Sequence, residues 1–366
     1  MKQIVIPDKY RSFAALICLN MKKNVLFAAF VLLNTLVFAQ KKSEYKIAAI
    51  GFYNLENLFD TLDSPITNDA DFLPGGRLLW NTKKYVSKQA NMAKVISEMA
   101  TEVSPDGLAL LGVAEVENRK VLEDLVSQPA LKDRKYEIAH FDSPDERGID
   151  CGLLYQPKYF KLTSAQPVPV NLQRATDSLA DFTRDILYVT GTFDGEPIHI
   201  MVGHWSSRSG GESGSAWRRA VAAGVCRHLV DSISLADPNA KIVIMGDLND
   251  DPTDKSVSEV LGAKGNADKL KKGELYNPMY DIYKNGNGTL AYRDSWNLFD
   301  QLIVSKPLLN KKAGGWQLFK AMVFRQPWLL QTEGAFRGYP FRTFVGDIFI
   351  NGYSDHLPVY LLLLKK

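Results

Sequence analysis

The chain holds 366 residues, 46% hydrophobic and 23% charged, which excludes a disordered, fibrous or collagen-like protein. A formal net charge of +3 is too small to make the whole surface a polyanion trap, so any affinity for phosphates must come from local groups. Three cysteines with no C-x-x-C spacing exclude a disulfide framework and a zinc ribbon.

From Met21 the chain reads MKKNVLFAAFVLLNTLVFAQ: two lysines, an apolar stretch, then Val37-Phe38-Ala39 before Gln40. Basic, apolar and cleavage regions in that order predict a secretory signal, and the apolar run is shorter than the ~20 residues of a membrane-spanning helix. Met21 is then the expected start, with residues 1–20 an upstream extension and 21–39 the signal peptide. Residues 44–366 are expected to form one exported domain, periplasmic or extracellular, monomeric and without a stable membrane span. Cys18 would leave with the signal; Cys151 and Cys226 read as structural, with pairing open in an oxidising compartment.

Apolar runs predict strands at 45–54, 107–116, 136–141, 151–156, 186–193, 197–205, 241–246, 299–305 and 358–364. Helices are expected at 83–103 and 215–235. The second carries Val221, Val225, Leu229 and Ile233 at four-residue spacing, one apolar stripe for packing on a sheet. Many strands with few amphipathic helices indicate packed sheets with helices on their outer faces.

Polar residues gather where these strands end. FYNLEN, VAEVEN, GHWSSR and MGDLND each follow an apolar run, SDHLPV leads into one, and Asp300 lies in NLFDQLIVS. There is no G-x-S-x-G, H-E-x-x-H, Walker-type G-x-x-x-x-G-K-[ST] or early G-x-G-x-x-G, so serine hydrolase, zincin, P-loop and dinucleotide chemistry are unsupported. What remains is Asn54, Glu115, Asp247, Asn249, Asp300 and Asp355, with His204 and His356. Hard oxygen donors without thiolates suit Mg²⁺, with Mn²⁺ or Ca²⁺ as alternatives, and the matching chemistry is attack of water on a phosphate ester. Asp247 and Asn249 are two residues apart and share a face if the segment is extended; an ordinary Asp/Asn turn is the alternative.

The ordered set YNLEN, VAEVEN, RGIDCGLLY, VGHWSSR, MGDLND, NLFDQLIVS and YSDHLPV, spread over roughly 47–364, resembles the endonuclease/exonuclease/phosphatase superfamily. That resemblance implies a deoxyribonuclease I-like α+β fold, a four-layer α/β/β/α sandwich of two mostly antiparallel sheets. It implies Glu115 as principal metal ligand, Asn54 as an amide contacting metal or phosphate, and Asp355 on the metal side. Asp247 resembles the residue that activates water, with Asn249 beside it; His356 the histidine that meets the phosphate, held by Asp300; and His204 the second histidine of some branches.

Asp150 precedes a strand and is expected to pair with His204, or else to be a surface carboxylate. Arg147 and Arg208 are candidate phosphate-binding cations. Between Ser305 and Gly352, basic residues such as Lys311, Lys312 and Arg342 alternate with Trp316, Phe324, Trp328 and Tyr339. That segment could track a nucleic acid, touch lipid headgroups, or pack its aromatics on the core. The expected activity is hydrolysis of phosphodiesters in DNA or RNA. A phospholipid or sphingomyelin phosphodiesterase is the enzymatic alternative, and a non-catalytic phosphate-binding module the alternative of another class.

Overall fold

A computed structural model describes residues 45–173, 181–310 and 314–366. The expected signal segment, Cys18, Lys311 and Lys312 lie outside the described residues. Among the described residues no helix is long and apolar enough to cross a membrane.

The strands of the first half are β1 (Lys46–Leu58), β2 (Leu108–Val116), β3 (Glu137–His140), β4 (Asp150–Tyr155), β5 (Phe160–Val168), β6 (Ile186–Phe193) and β7 (Glu196–His204). Those of the second are β8 (Ile242–Asp247), β9 (Ala263–Lys264), β10 (Leu275–Tyr276), β11 (Leu290–Tyr292), β12 (Ser295–Asn297), β13 (Asp300–Val304), β14 (Gln317–Val323), β15 (Phe344–Val345), β16 (Ile348–Phe349) and β17 (Val359–Lys365). The α-helices are α1 (Thr82–Glu98), α2 (Arg119–Val126), α3 (Glu212–Ala236) and α4 (Met279–Lys284). One sheet has the order β14-β17-β1-β2-β4-β3 and the other β5-β6-β7-β8-β13-β10-β9. Most neighbours are antiparallel; β1–β2, β7–β8 and β9–β10 are parallel.

Side-chain alternation explains the layers. On β1, Ala48, Ile50 and Phe52 enter the core between the sheets, while Ala49, Tyr53 and Leu55 join the core under α1 and α2. On β8, Val243 and Met245 face the central core, while Ile242 and Ile244 meet α3. Both faces of the central strands are covered, so they read as continuous apolar runs. The result is the expected four-layer α/β/β/α sandwich.

The differences have local causes. The first helix stops at Glu98, because the chain turns through Ala100 at φ 60°. The buried face of α3 is Ala222, Ala223, Cys226 and Val230, rotated from the Val221–Ile233 stripe, which is only half-buried beside it. Two edge strands, β5 and β14, had no apolar run to reveal them. One face of β5 is solvated and it carries Pro167, as edge strands tolerate. Cys151 and Cys226 are both buried and both free.

Register then sets the chemistry. His204 on β7 lies beside Asp247 on β8, and Asp247 lies opposite Asp300 on β13. The preceding pair, Gly203 and Gly246, is equally constrained: a Cβ on Gly246 would come 2.1 Å from the Gly203 carbonyl oxygen. Glycine lets β7 and β8 close up just before they deliver His204 and Asp247.

Candidate active site

Asn54 near the end of β1 links the sheets. Its side-chain amide donates to Asp247 Oδ2 at 3.0 Å, and its Oδ1 accepts the Glu56 N–H at 2.9 Å. Asp247 Oδ1 accepts the Asn249 N–H at 3.0 Å. The extended-face argument for Asp247 and Asn249 therefore fails: β8 ends at Asp247, and Asn249 turns left-handed at φ 51°. Its backbone, not its side chain, serves Asp247, while its amide donates to the Trp205 carbonyl at 2.9 Å.

His356 stands in the turn before β17. Its Nδ1 lies 2.7 Å from Asp300 Oδ2, and its Nε2 lies 3.8 Å from Asp247 Oδ2 and 4.0 Å from Asp355 Oδ1. Burial alone would push the imidazole pKa down, but the Asp300 and Asp247 carboxylates overcome it and hold it well above the ordinary value. His356 is thus an imidazolium, donating to Asp300 through one nitrogen and presenting the other to the cleft. Ser354 fixes this turn: its hydroxyl donates to the Asn54 carbonyl at 2.8 Å and accepts the His356 N–H at 3.1 Å. Asp355 and His356 both lie in the turn, since β17 begins only at Val359. Asp355 turns outward enough for its Oδ2 to lie 3.8 Å from Arg342.

Asp247 is buried, and burial pushes its carboxyl up to about 7; His356 pulls the other way, while Asp300 and Glu115 add to the rise. Such a value suits a base near neutrality. His204 behaves oppositely to His356. Burial drives its pKa well below the ordinary value, helped by the cations Arg184, Arg147 and His356. Its Nε2 lies 3.7 Å from Glu115 Oε1 and 3.6 Å from Asp247 Oδ2.

Asp150 does not pair with His204. Its Oδ2 lies 3.1 Å from His140 Nε2, and its Oδ1 accepts the Ser143 N–H and hydroxyl at 2.8 and 2.7 Å. The pairing fails because β4 is the neighbour of β3, which carries His140, in the same sheet, whereas His204 belongs to the other. Arg208 is likewise spent. It donates to the Asn249 carbonyl, Glu212, Asp250 and Asp254, with its guanidinium 4.5 Å from the Phe299 ring. Arg147 is different: half exposed, with Asp145 no nearer than 3.9 Å to its Nε.

Glu115 lies where the β2 register slips, at φ 60°, and a bulge of this kind re-aims a side chain beside a site. Its Oε2 accepts the Asn57 N–H at 2.9 Å. Its Oε1 lies 3.7 Å from His204 Nε2, too far for a hydrogen bond, which leaves this oxygen available to a cation. Glu115 and Asp355 are oxygen donors of the kind a hard divalent ion takes, whereas the Glu56 carboxylate is already held by Thr343 and Lys88 and the Asn54 Oδ1 accepts the Glu56 N–H. Among the described residues, the groups whose ligand atoms lie within 4.8 Å of one another are Asp247, Asp300 and His356, and His140, Asp142 and Asp150; in the first, an imidazole held between two carboxylates acts as a proton device rather than a metal cage.

Sequence reasoning missed Glu56, Lys88, Thr343 and Arg184. Glu56 Oε2 accepts the Thr343 N–H and hydroxyl, both at 2.7 Å, and lies 3.5 Å from the fully buried Lys88 Nζ. Arg184 donates to the His204 and Trp205 carbonyls and to Asp145. Glu56 stood inside the quoted YNLEN; Lys88 and Arg184 gave no sequence cue.

The Endonuclease/Exonuclease/phosphatase family model matches residues 49–365. The chain belongs to this family. No curated protein matches it. Among solved structures, a family member from Bacteroides thetaiotaomicron is 16% identical with a TM-score of 0.52, the match covering 88% of this chain and 96% of that one. A mannosyl-6-phosphatase from the same organism is 16% identical at TM-score 0.51, covering 86% and 99%. The human nocturnin catalytic domain is 14% identical at TM-score 0.51, covering 88% and 97%. At these identities the similarity establishes the family fold. Within that family this chain is a phosphoester hydrolase in type, and the site above carries the finer reading.

Proposed function

We propose that the protein hydrolyses phosphoesters by direct attack of water, with a divalent cation as cofactor and phosphodiesters of DNA or RNA as its first candidate substrates. One observation carries the reading: the Asp300–His356 imidazolium and the near-neutral Asp247 face each other at 3.8 Å beside the open oxygen of Glu115. Asp247, oriented by Asn54 and the Asn249 N–H, accepts the proton of the attacking water. His356 Nε2–H meets the phosphoryl oxygen on which charge accumulates. Glu115 and Asp355, with the Asn54 amide, would hold a divalent cation, which would supply Lewis acidity toward the phosphoryl group. Asp300, 2.7 Å from His356 Nδ1, fixes the orientation of the ring.

The proposal includes export, supported by the order of basic, apolar and small residues at 21–39. The aromatics of 305–352 argue against that segment being a stacking track for bases. Trp316 packs 5.2 Å from Phe193, and Trp328 lies 5.0 Å from Tyr353 with Lys94 over it at 4.4 Å. The test is one panel: plasmid DNA, RNA, sphingomyelin and bis-p-nitrophenyl phosphate, each with Mg²⁺, Mn²⁺, Ca²⁺ or chelator. Cation-dependent cleavage of a nucleic acid is the expected result. Cleavage of sphingomyelin alone would replace the substrate, and no cleavage with retained phosphate binding would favour a binding module.

A further inference from the structure

A cavity of about 420 Å³ lies beside this site, on the side of Glu115. Glu56 and Asn57 form its inner wall, and the Asn57 N–H is the one that donates to Glu115 Oε2. Arg147 lines it from a second side, Phe72, Arg77, Asp71 and Asn68 from a third, and Phe344 of the β15–β16 hairpin from a fourth. The volume lies at the low end of the ~300–1,000 Å³ found for small-molecule sites, room for one ring-sized group rather than a duplex.

The walls are pinned to one another. Glu56 holds Thr343 through two bonds, and Lys88 donates to both Thr343 Oγ1 and the Tyr353 carbonyl at 2.6 Å, so the hairpin is fastened to β1 by a buried ion pair. Arg77 bridges from Asp71 to Asp347 on that hairpin. Trp80 packs against Phe344 and Phe349, and Phe59 stacks on Phe72 at 4.3 Å. The Asn68 N–H donates to the Glu146 carbonyl at 2.9 Å, tying this wall to the Arg147 loop. A cavity held this way exists before any ligand arrives.

Its chemistry is mixed in a particular manner. The Asp71–Arg77 pair and the Asn68 amide offer acceptors and donors side by side at the mouth, while the half-buried Phe72 and Phe344 offer apolar surface within. Asp71 and Arg77 satisfy each other and stay half exposed, so the polar groups that can select a ligand are Arg147 and Asn68, which a hydrocarbon tail would not engage. A sugar ring meets both demands: its hydroxyls donate and accept, and its C–H faces lie on aromatic surface. We infer that this cavity is the subsite for a single sugar ring esterified to the scissile phosphate, with Arg147 spanning from the ring to the phosphate. This inference rests on the hydrolytic reading above and narrows it to a terminal nucleotide or a sugar phosphate, two sources of one ligand chemistry.

The experiment compares esters whose leaving alcohols are alike. Ribose 5-phosphate and glucose 6-phosphate are set against n-butyl phosphate, and dithymidine monophosphate against dibutyl phosphate, each with Mg²⁺. The expected result is that at least one sugar-bearing ester exceeds its alkyl counterpart in kcat/KM by about tenfold or more, the scale of a few matched contacts. The responding arm tells nucleotide from hexose. In Asn68→Ala and in Phe344→Ala that preference ratio should fall at least several-fold. Equal turnover of alkyl and sugar esters by the unaltered protein, or a ratio unmoved in both variants, overturns the subsite and leaves the hydrolytic reading standing. Calorimetric titration with the same sugar phosphates against inorganic phosphate gives a readout independent of turnover. Binding of the sugar phosphates without cleavage of any ester overturns the hydrolytic reading and keeps the subsite. Binding no tighter than phosphate overturns the subsite.

Discussion

Asp300 and His356 arrive from different sheets and meet at 2.7 Å, Asp300 from β13 of one and His356 from the turn before β17 of the other. The carboxyl group is fully buried and, among the described residues, its remaining oxygen Oδ1 has no hydrogen-bond partner, so the histidine is its main polar contact. Replacing His356 with Ala removes the charge that meets the phosphate and should lower kcat by about 10²–10³-fold, the cost of one electrostatic donor. Asp300→Asn keeps the shape but withdraws the charge that raises the imidazole pKa, so its activity should be lost at a lower pH on the alkaline side. Steady-state rates against pH, with circular dichroism as the folding control, check both; an unshifted alkaline limb in Asp300→Asn would refute the pairing.

Asp247 sets the acid side. Burial raises its carboxyl to about 7, so below that value it is protonated and cannot accept the proton of water. Activity should therefore rise with pH up to about 7, close to tenfold per unit well below it. A cation at Glu115 adds positive charge nearby and moves this midpoint down, so profiles at low and saturating Mg²⁺ should separate. The stability consequence has the opposite sense to a salt-bridged carboxylate. A raised folded pKa means stability is full below the unfolded value of 3.8 and is lost as pH climbs through about 7.

Lys88 and Glu56 form another buried charge pair, at 3.5 Å. Burial pushes the lysine pKa down and the glutamate up to about 7, with Asp355 adding to the latter. Lys88→Met leaves a buried carboxylate facing Asp355 and should cost about 3–5 kcal/mol, the usual cost of orphaning one partner. The double change Lys88→Met with Glu56→Gln should recover much of that loss. Chemical denaturation of the three variants measures it, and equal stability of the single and double variants would show that the pair is not coupled.

The central strands and the site row on them were legible because strands covered on both faces are written as unbroken apolar runs, and their polar tips stand out at the ends. That is how Asn54, Glu115, His204, Asp247 and Asp300 could be found. What was not legible depended on three-dimensional partners. Asp150 is followed by the same strand whether it faces His140 or His204, and only the strand order decides. The side chain of Asn249 was misplaced because two-residue spacing means a shared face only while the backbone stays extended, and β8 ends two residues earlier. Lys88 sits in a helix of ordinary surface composition, and nothing in its neighbours reveals that Thr343, 255 residues away, waits for its ammonium group. The edge strand β14 was hidden for the opposite reason, since a single paired edge leaves half its residues polar.

Arg147 and Arg208 looked equivalent in the sequence and are not. Arg208 is held by the Asn249 carbonyl and three carboxylates, 22% exposed, while the Arg147 side chain is 51% exposed with the Asp145 carboxylate 3.9 Å from its Nε. Arg208→Ala removes the staple of the loop after β8 and leaves Asp250 and Asp254 closer to unpaired. It should lower the melting temperature clearly and reduce kcat only as far as Asn249 moves. Arg147→Ala loses a half-exposed cation beside the site, so stability should stay within about 0.5 kcal/mol. Its KM for a phosphoester should rise roughly tenfold with kcat little changed, the signature of a contact made equally to substrate and transition state. Raising ionic strength should weaken substrate binding in the unaltered protein more than in Arg147→Ala, because the exposed guanidinium is the screened partner. Melting curves and Michaelis constants at two salt concentrations separate the two arginines. If Arg208→Ala changed KM alone and Arg147→Ala lowered the melting temperature, these assignments would have to be exchanged.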